Sequence, residues 1–311
     1  MKYIIVTALL AQAAWGAWVY EGQFGSEGSS NGQFYFEPGV AIAPNGNVYV
    51  ADSYRIQYFT PTGSFLGKWG DFSNFGSTLD VAVAPNGSVY VADQNVDKIK
   101  FFTAAGSLLG SWGRSGGGDG QFDLCPGVAV ATGLVVYVTD MHNYRVQYFT
   151  STGSFLGKWG SRGSGDGEFN DPVRVAVAPT GDVYVTEYAN HRVQHFTADG
   201  SFKGKWGTRG NGPGQFDYPE GIAVAPDGVV YVADARNDRI QYFTADGSFL
   251  GAWGTFGSGD GQFDGPRGVA VTPEGARVYV ADTDNCRVQY FKWIEPAVTP
   301  ASLGRVKALY Y

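Results

Sequence analysis

Cysteine, histidine and methionine are scarce in this chain, at 2, 3 and 2 of 311 residues. Two cysteines make neither a disulfide framework nor a cysteine-rich zinc site. Basic residues are few as well: 22 Lys and Arg against 29 Asp and Glu leave a net charge of −7. A nucleic-acid partner, which needs a basic face, is therefore not expected. The apolar run from Tyr3 to Ala14 falls short of the roughly 18 residues of a membrane-spanning helix, so a transmembrane protein is not expected either. Extended helical periodicity is missing throughout.

Repetition takes its place. The stretch YVADARNDRIQYF (231–243) has close copies at 49–59, 90–102, 137–149, 184–196 and 279–291. The anchor tyrosines Tyr49, Tyr90, Tyr137, Tyr184, Tyr231 and Tyr279 are spaced by 41, 47, 47, 47 and 48 residues, a period that belongs to propeller-like arrays. Each unit holds four β-rich runs of the type GVAVAP, VYVAD, RVQYFT and SFLGKWG, divided by Pro-Asn-Gly and Thr-Gly-Ser turns. The fold predicted is all-β: a six-bladed β-propeller of four-stranded blades.

The chain ends predict how the ring closes. YEGQFGSEGSSNGQF (20–34) aligns without a gap to FLGKWGSRGSGDGEF (155–169), while the last unit stops after its third strand, CRVQYFKWI (286–294). Residues 18–24 are thus expected as the outer strand of the final blade, a 3+1 seam that pairs the two ends and removes open sheet edges.

The unit G-V-A-V-A-P-x-G-x-V-Y-V-A-D-x-x-N-x-R-V-Q-Y-F-T-x-x-G-S-F-L-G-x-W-G resembles the NHL repeat, over roughly residues 18–293. The resemblance implies a six-bladed propeller from a superfamily that includes RNA-binding domains, extracellular sensor domains of bacterial kinases and zinc-containing amidating lyases. One fold hosts unrelated sites, so the repeat does not choose among them.

Residues 1–16 have no place in the repeat. MKYIIVTALLAQAAWG reads as a secretory signal peptide: a lysine, an apolar run and a small-x-small end at Ala14-Trp15-Gly16. The expected organisation is signal peptide 1–16, propeller 17–294 and tail 295–311, where Ser302 caps a short amphipathic helix. Localisation is expected to be secreted, periplasmic or cell-surface. Cys125 and Cys286 fall on opposite sides of a six-bladed ring, too far apart for a bridge, and are expected as buried or half-buried thiols.

Strand reversal places the loops after the second and fourth strands on one face, the longer-looped face on which a site is sought. There, each blade carries an acid that ends its second strand: Asp52, Asp93, Asp140, Glu187, Asp234 and Asp282. These acids are followed by Arg55, Lys98, Arg145, Arg192, Arg239 and Arg287. Six similar copies read as scaffold: the acid accepts loop N–H groups, and the base pairs with a carboxylate or carbonyl of a neighbouring blade. The outer-strand series Trp69, Trp112, Trp159, Trp206 and Trp253, with Phe24 in the sixth place, reads as packing between sheets rather than as a sugar-stacking ring. The Gly-Asp-Gly loops at 116–123, 163–170 and 257–264 offer oxygens to calcium, but read first as turns that need positive φ.

Departures from the repeat supply the site candidates. Asp80, Arg174, Glu220 and Arg267 interrupt an otherwise small or apolar ring at the channel mouth. They form either a neutralised plug, with Glu220 on Arg267, or a polar pocket for a zwitterionic or carboxylated ligand. His142 and His191 lie in loops of neighbouring blades, but in different registers. They do not supply the three imidazoles of an amidating-lyase-like zinc site, and no His-Glu-x-x-His motif is present. The first blade is irregular: its 52–55 loop is two residues shorter than its counterparts, and the following connection (71–80) is four shorter than 113–126; this reads either as a lowered rim that opens a groove toward the channel or as neutral drift in a loop. The function expected is an exported binding scaffold that presents this face to a protein, glycan or small ligand, with no cofactor required. The alternatives are a propeller lyase or hydrolase with zinc or calcium near the channel, and a self-associating structural protein.

Overall fold

In a computed structural model that describes residues 16–35, 39–73 and 75–295, six four-stranded antiparallel sheets are arranged as blades of a ring. The first blade comprises β2 (Gly39–Ile42), β3 (Val48–Asp52), β4 (Arg55–Phe59) and β5 (Phe65–Trp69). Equivalent sets follow: β6 (Thr78–Val83) to β9 (Leu108–Trp112), β10 (Val128–Val130) to β13 (Phe155–Trp159), β14 (Pro172–Val177) to β17 (Phe202–Trp206), and β18 (Pro219–Val224) to β21 (Phe249–Trp253). The sixth blade joins β22 (Pro266–Val271), β23 (Arg277–Asp282) and β24 (Arg287–Ile294) to β1 (Ala17–Phe24). β1 runs antiparallel to β24 with Trp18 opposite Trp293 and Phe24 opposite Val288. The architecture and its 3+1 seam are those predicted. The signal-peptide reading of residues 1–16, of which Gly16 alone is described, and the tail helix fall outside the described residues.

Burial follows strand position. First strands line the channel with Val40, Val81, Val128, Val175, Ile222 and Val269. Second strands are buried along their length, as in VYVAD at 230–234, apart from Arg277 at the start of β23, because adjacent blades cover both of their faces. Outer strands alternate in exposure, as in FLGKW at 155–159. Tyrosine at the second position of the second strand ties blade to blade. Tyr49, Tyr90, Tyr137 and Tyr184 each donate to a carbonyl of the next blade, at Ala104, Ser151, Ala198 and Ala245, over 2.9–3.1 Å. Tyr279 closes the circle on Pro61 at 2.8 Å. At the seam, where no third-to-fourth-strand turn exists, Tyr231 instead meets Trp18 edge-on at 5.6 Å.

The outer tryptophans pack between blades, not toward solvent sugars. Trp69 lies so close to the turn of the next blade that a β-carbon on Gly106, at φ +89°, would sit 2.6 Å from its ring. Phe24 stands in the same relation to Gly63. Neither cysteine is disulfide-bonded, and burial pushes the Cys125 thiol up. Among the described residues no helix is long and apolar enough to cross a membrane.

Candidate functional site

Each hairpin between second and third strands clamps the long loop that leads into its own blade. In the fifth blade Asp234 accepts from the Asp217 N–H (2.8 Å), Asn237 Nδ2 (2.9 Å), Arg239 Nε (2.8 Å) and Gln241 Nε2 (3.0 Å). Arg239 then donates to the carbonyls of Asn211, Gly212 and Gln215, and Asn237 to that of Gly210. A base paired with a neighbouring blade was expected. The base instead pairs with the acid of its own hairpin, because the strand register sets Asp234 opposite Arg239. Asp140–Arg145, Glu187–Arg192 and Asp282–Arg287 repeat the pair, and Asp52–Arg55 keeps it in the first blade. In the second blade Asp93 faces Lys98 in register but is bonded by Lys100 at 2.8 Å. Lys100 occupies the position of the third-strand glutamine, whose part in the clamp the sequence reading missed. Burial pushes the carboxyls of Asp140, Glu187 and Asp234 up, and the surrounding N–H donors oppose it.

The Gly-Asp-Gly loops are turns, and the acids of the first two bind lysine. Gly120 and Gly167 have φ near +71° and +75°, while Asp119 and Asp166 pair with Lys158 (2.5 Å) and Lys205 (2.7 Å) on outer strands. Among the described residues no three His, Cys, Asp or Glu side chains gather as a metal site. His142 Nδ1 lies 3.0 Å from Asp123. His191 accepts the Tyr218 N–H at Nδ1 over 3.1 Å, as Asp97 and Asp238 accept N–H groups of Leu124 and Gly265 at the same hairpin position. Burial holds the His191 imidazole below its ordinary pKa, against the pull of Asp217.

At the channel mouth the four charges face one another. Arg174 Nη1 lies 3.8 Å from Asp80 and donates to the Pro126 carbonyl, and Asp80 accepts from the Val128 N–H at 3.0 Å. Arg267 lies 3.5 Å from Glu220. Burial raises both carboxyls, and the arginines oppose it. The space beside Asp80 and Arg174 is about 70 Å³, room for roughly two waters. That volume is smaller than a zwitterionic ligand needs.

A cavity of about 600 Å³ on the loop-rich face opens at the irregular first blade. Ser29, Tyr35, Asp52–Arg55 and Gly70–Phe72 line it. It opens beside the 52–55 hairpin, which is two residues shorter than its counterparts. Tyr35 and Phe72 are 71% and 79% exposed, more than the other large apolar side chains described. Sequence reading found the short loop but not these rings. The signal was present, since Tyr35 stands where later blades carry Asp123, Asn170, Asp217 and Asp264.

The NHL repeat model matches residues 169–196, 216–243 and 263–291. No curated protein matches the sequence. Among solved structures, a Bacteroides thetaiotaomicron protein of unknown function is similar at 16% identity over 90% of this chain and 76% of that one, with a TM-score of 0.70. A virginiamycin B lyase from Staphylococcus aureus, solved with quinupristin, is similar at 12% identity over 88% and 100% of the two chains (TM-score 0.62). Hydrazine synthase from Kuenenia stuttgartiensis is similar at 10% identity over 88% and 99% (TM-score 0.58). Such distant likeness carries the fold alone. The chain is a six-bladed β-propeller that carries NHL repeats at residues 169–196, 216–243 and 263–291.

Proposed function

We propose that this protein is an exported binding module that takes its ligand on the loop-rich face, in the pocket of the first blade. One observation carries the reading: a ligand-sized cavity opens at the blade that breaks the repeat. Neutral drift in a loop does not ordinarily leave two exposed aromatic side chains beside a pocket of this size, whereas binding sites are concave, aromatic-lined and held by a rigid scaffold. Export rests on residues 1–16. The lyase neighbours support an enzymatic reading only through their fold.

The test restores the repeat. A variant whose Ser53–Tyr54 hairpin is lengthened to the four-residue Met141–Tyr144 sequence of the third blade should fold and lose the pocket. Fragments that bind the wild type in ligand-detected NMR should then be lost. Hits that survive the repair would place the site elsewhere and overturn the proposal.

Self-association has an observation of its own in Leu66, Leu108, Leu109, Leu156 and Leu250, all exposed on outer strands. Light scattering at rising concentration tests it, and a constant monomer mass excludes it.

A further inference from the structure

Three aromatic rings, those of Tyr35, Tyr54 and Phe72, converge on the first-blade pocket. Tyr35 replaces the acid or amide that follows the loop phenylalanine in the third to sixth blades. Its N–H still donates to Asp52 at 2.9 Å, so the backbone role is kept and only the side chain has changed. Tyr54 directly precedes Arg55, as Tyr144 precedes Arg145. Phe72 stands three residues past its outer-strand tryptophan, where the third-blade counterpart is Arg162. In that blade the Arg162 guanidinium lies over the Tyr144 ring at 5.2 Å. In the first blade the ring centroids of Tyr54 and Phe72 are 3.8 Å apart. An aromatic wall has replaced an internal cation–π pair.

We infer that this pocket takes a small organic cation, an alkylated ammonium group; the inference rests on the reading above that the pocket is the ligand site. The faces of tyrosine and phenylalanine carry negative potential and attract such cations without requiring hydrogen bonds. Asp71 adds a carboxylate to the lining, in a chain of net charge −7. A sugar would ask for polar contacts that the floor has already made. Asp52 holds Arg55 Nε (2.6 Å), Gln57 Nε2 (3.1 Å) and the Tyr35 N–H. Arg55 spends its other nitrogens on the carbonyls of Ser29 and Gln33. The same face stacks its own cations on rings elsewhere, with Arg236 over Tyr218 at 4.3 Å and Lys100 over Phe75 at 4.9 Å.

The test is calorimetric titration of the purified protein with choline and with its neutral isostere 3,3-dimethylbutan-1-ol. Choline is expected to saturate one site and to bind about tenfold more tightly than the isostere. Phe72→Ala should weaken choline about fivefold at an unchanged melting temperature, because the ring is exposed, and Phe72→Tyr should restore it. Equal binding of the isostere, or no choline binding, would overturn the inference. The outcomes separate from those of the repair variant. If neutral or anionic fragments bind the wild type and are lost on repair, the cation assignment falls while the binding site stands. If nothing is lost on repair, both fall.

Discussion

Arg277 grips Glu21 with two hydrogen bonds, Nε and Nη2 to the two carboxylate oxygens at 2.6 and 2.9 Å, across 256 residues of chain. The pair stitches β1 to the last blade, and the Arg277 contact holds the Glu21 carboxyl below its ordinary range. Both side chains keep partial access to solvent, so Glu21→Gln should cost only about 0.5–1 kcal/mol. Because the folded pKa is depressed, that contribution is complete above the unfolded value of about 4.3 and is lost as pH falls through the folded one. Thermal melts of wild type and variant should therefore differ at neutral pH and converge in acid. An unchanged gap would show that the ion pair does not act at the seam.

Asp234→Ala should destabilise the fifth blade by about 3 kcal/mol, since it strands Arg239, Asn237, Gln241 and the Asp217 N–H together. Ligand binding at the first blade should remain. Denaturant unfolding read beside binding separates the two. An unchanged midpoint with abolished binding would make Asp234 a site residue instead of a clamp.

At the channel mouth, Arg174→Met leaves the buried Asp80 carboxylate without its facing charge and should cost about 3 kcal/mol. Adding Asp80→Asn should recover most of that loss, because the amide oxygen still accepts from the Val128 N–H. Two single losses that simply add in the double variant would refute a coupled plug.

His191 caps the Tyr218 N–H only while its Nδ1 is unprotonated. Its folded pKa is depressed by burial, so its stabilisation is complete above the unfolded value of about 6.5 and declines as pH falls through the folded value. His191→Asn keeps an acceptor and tolerates the positive φ of 51° at this position. The variant should match the wild type near pH 8 and hold its melting temperature better at about pH 5. Parallel pH dependence in both proteins would remove His191 as the cause.

Blade number, strand order and the seam were legible because propeller repeats are local: each blade rewrites the same alternation, and the offset between the first and last units shows where the ends must meet. The acid of the clamp was legible for the same reason, as its six copies identified it as scaffold. Its partners were not. Gln241 sits seven residues from Asp234, and the carbonyls that Arg239 holds lie 24–28 residues away, distances that only the folded hairpin brings together.

The sequence by itself determined the architecture, since periodic burial and turn chemistry leave one closed arrangement of six like sheets. It also marked the first blade as irregular. Only the tertiary structure decided what the irregularity does. Deleting two residues removes atoms from one place in space, and whether the gap collapses or stays open depends on the neighbours that pack around it. Here Tyr35, Tyr54 and Phe72, which span 38 residues of sequence, line the same opening, while the charges at the channel mouth draw together over Asp80–Arg174 and leave little room.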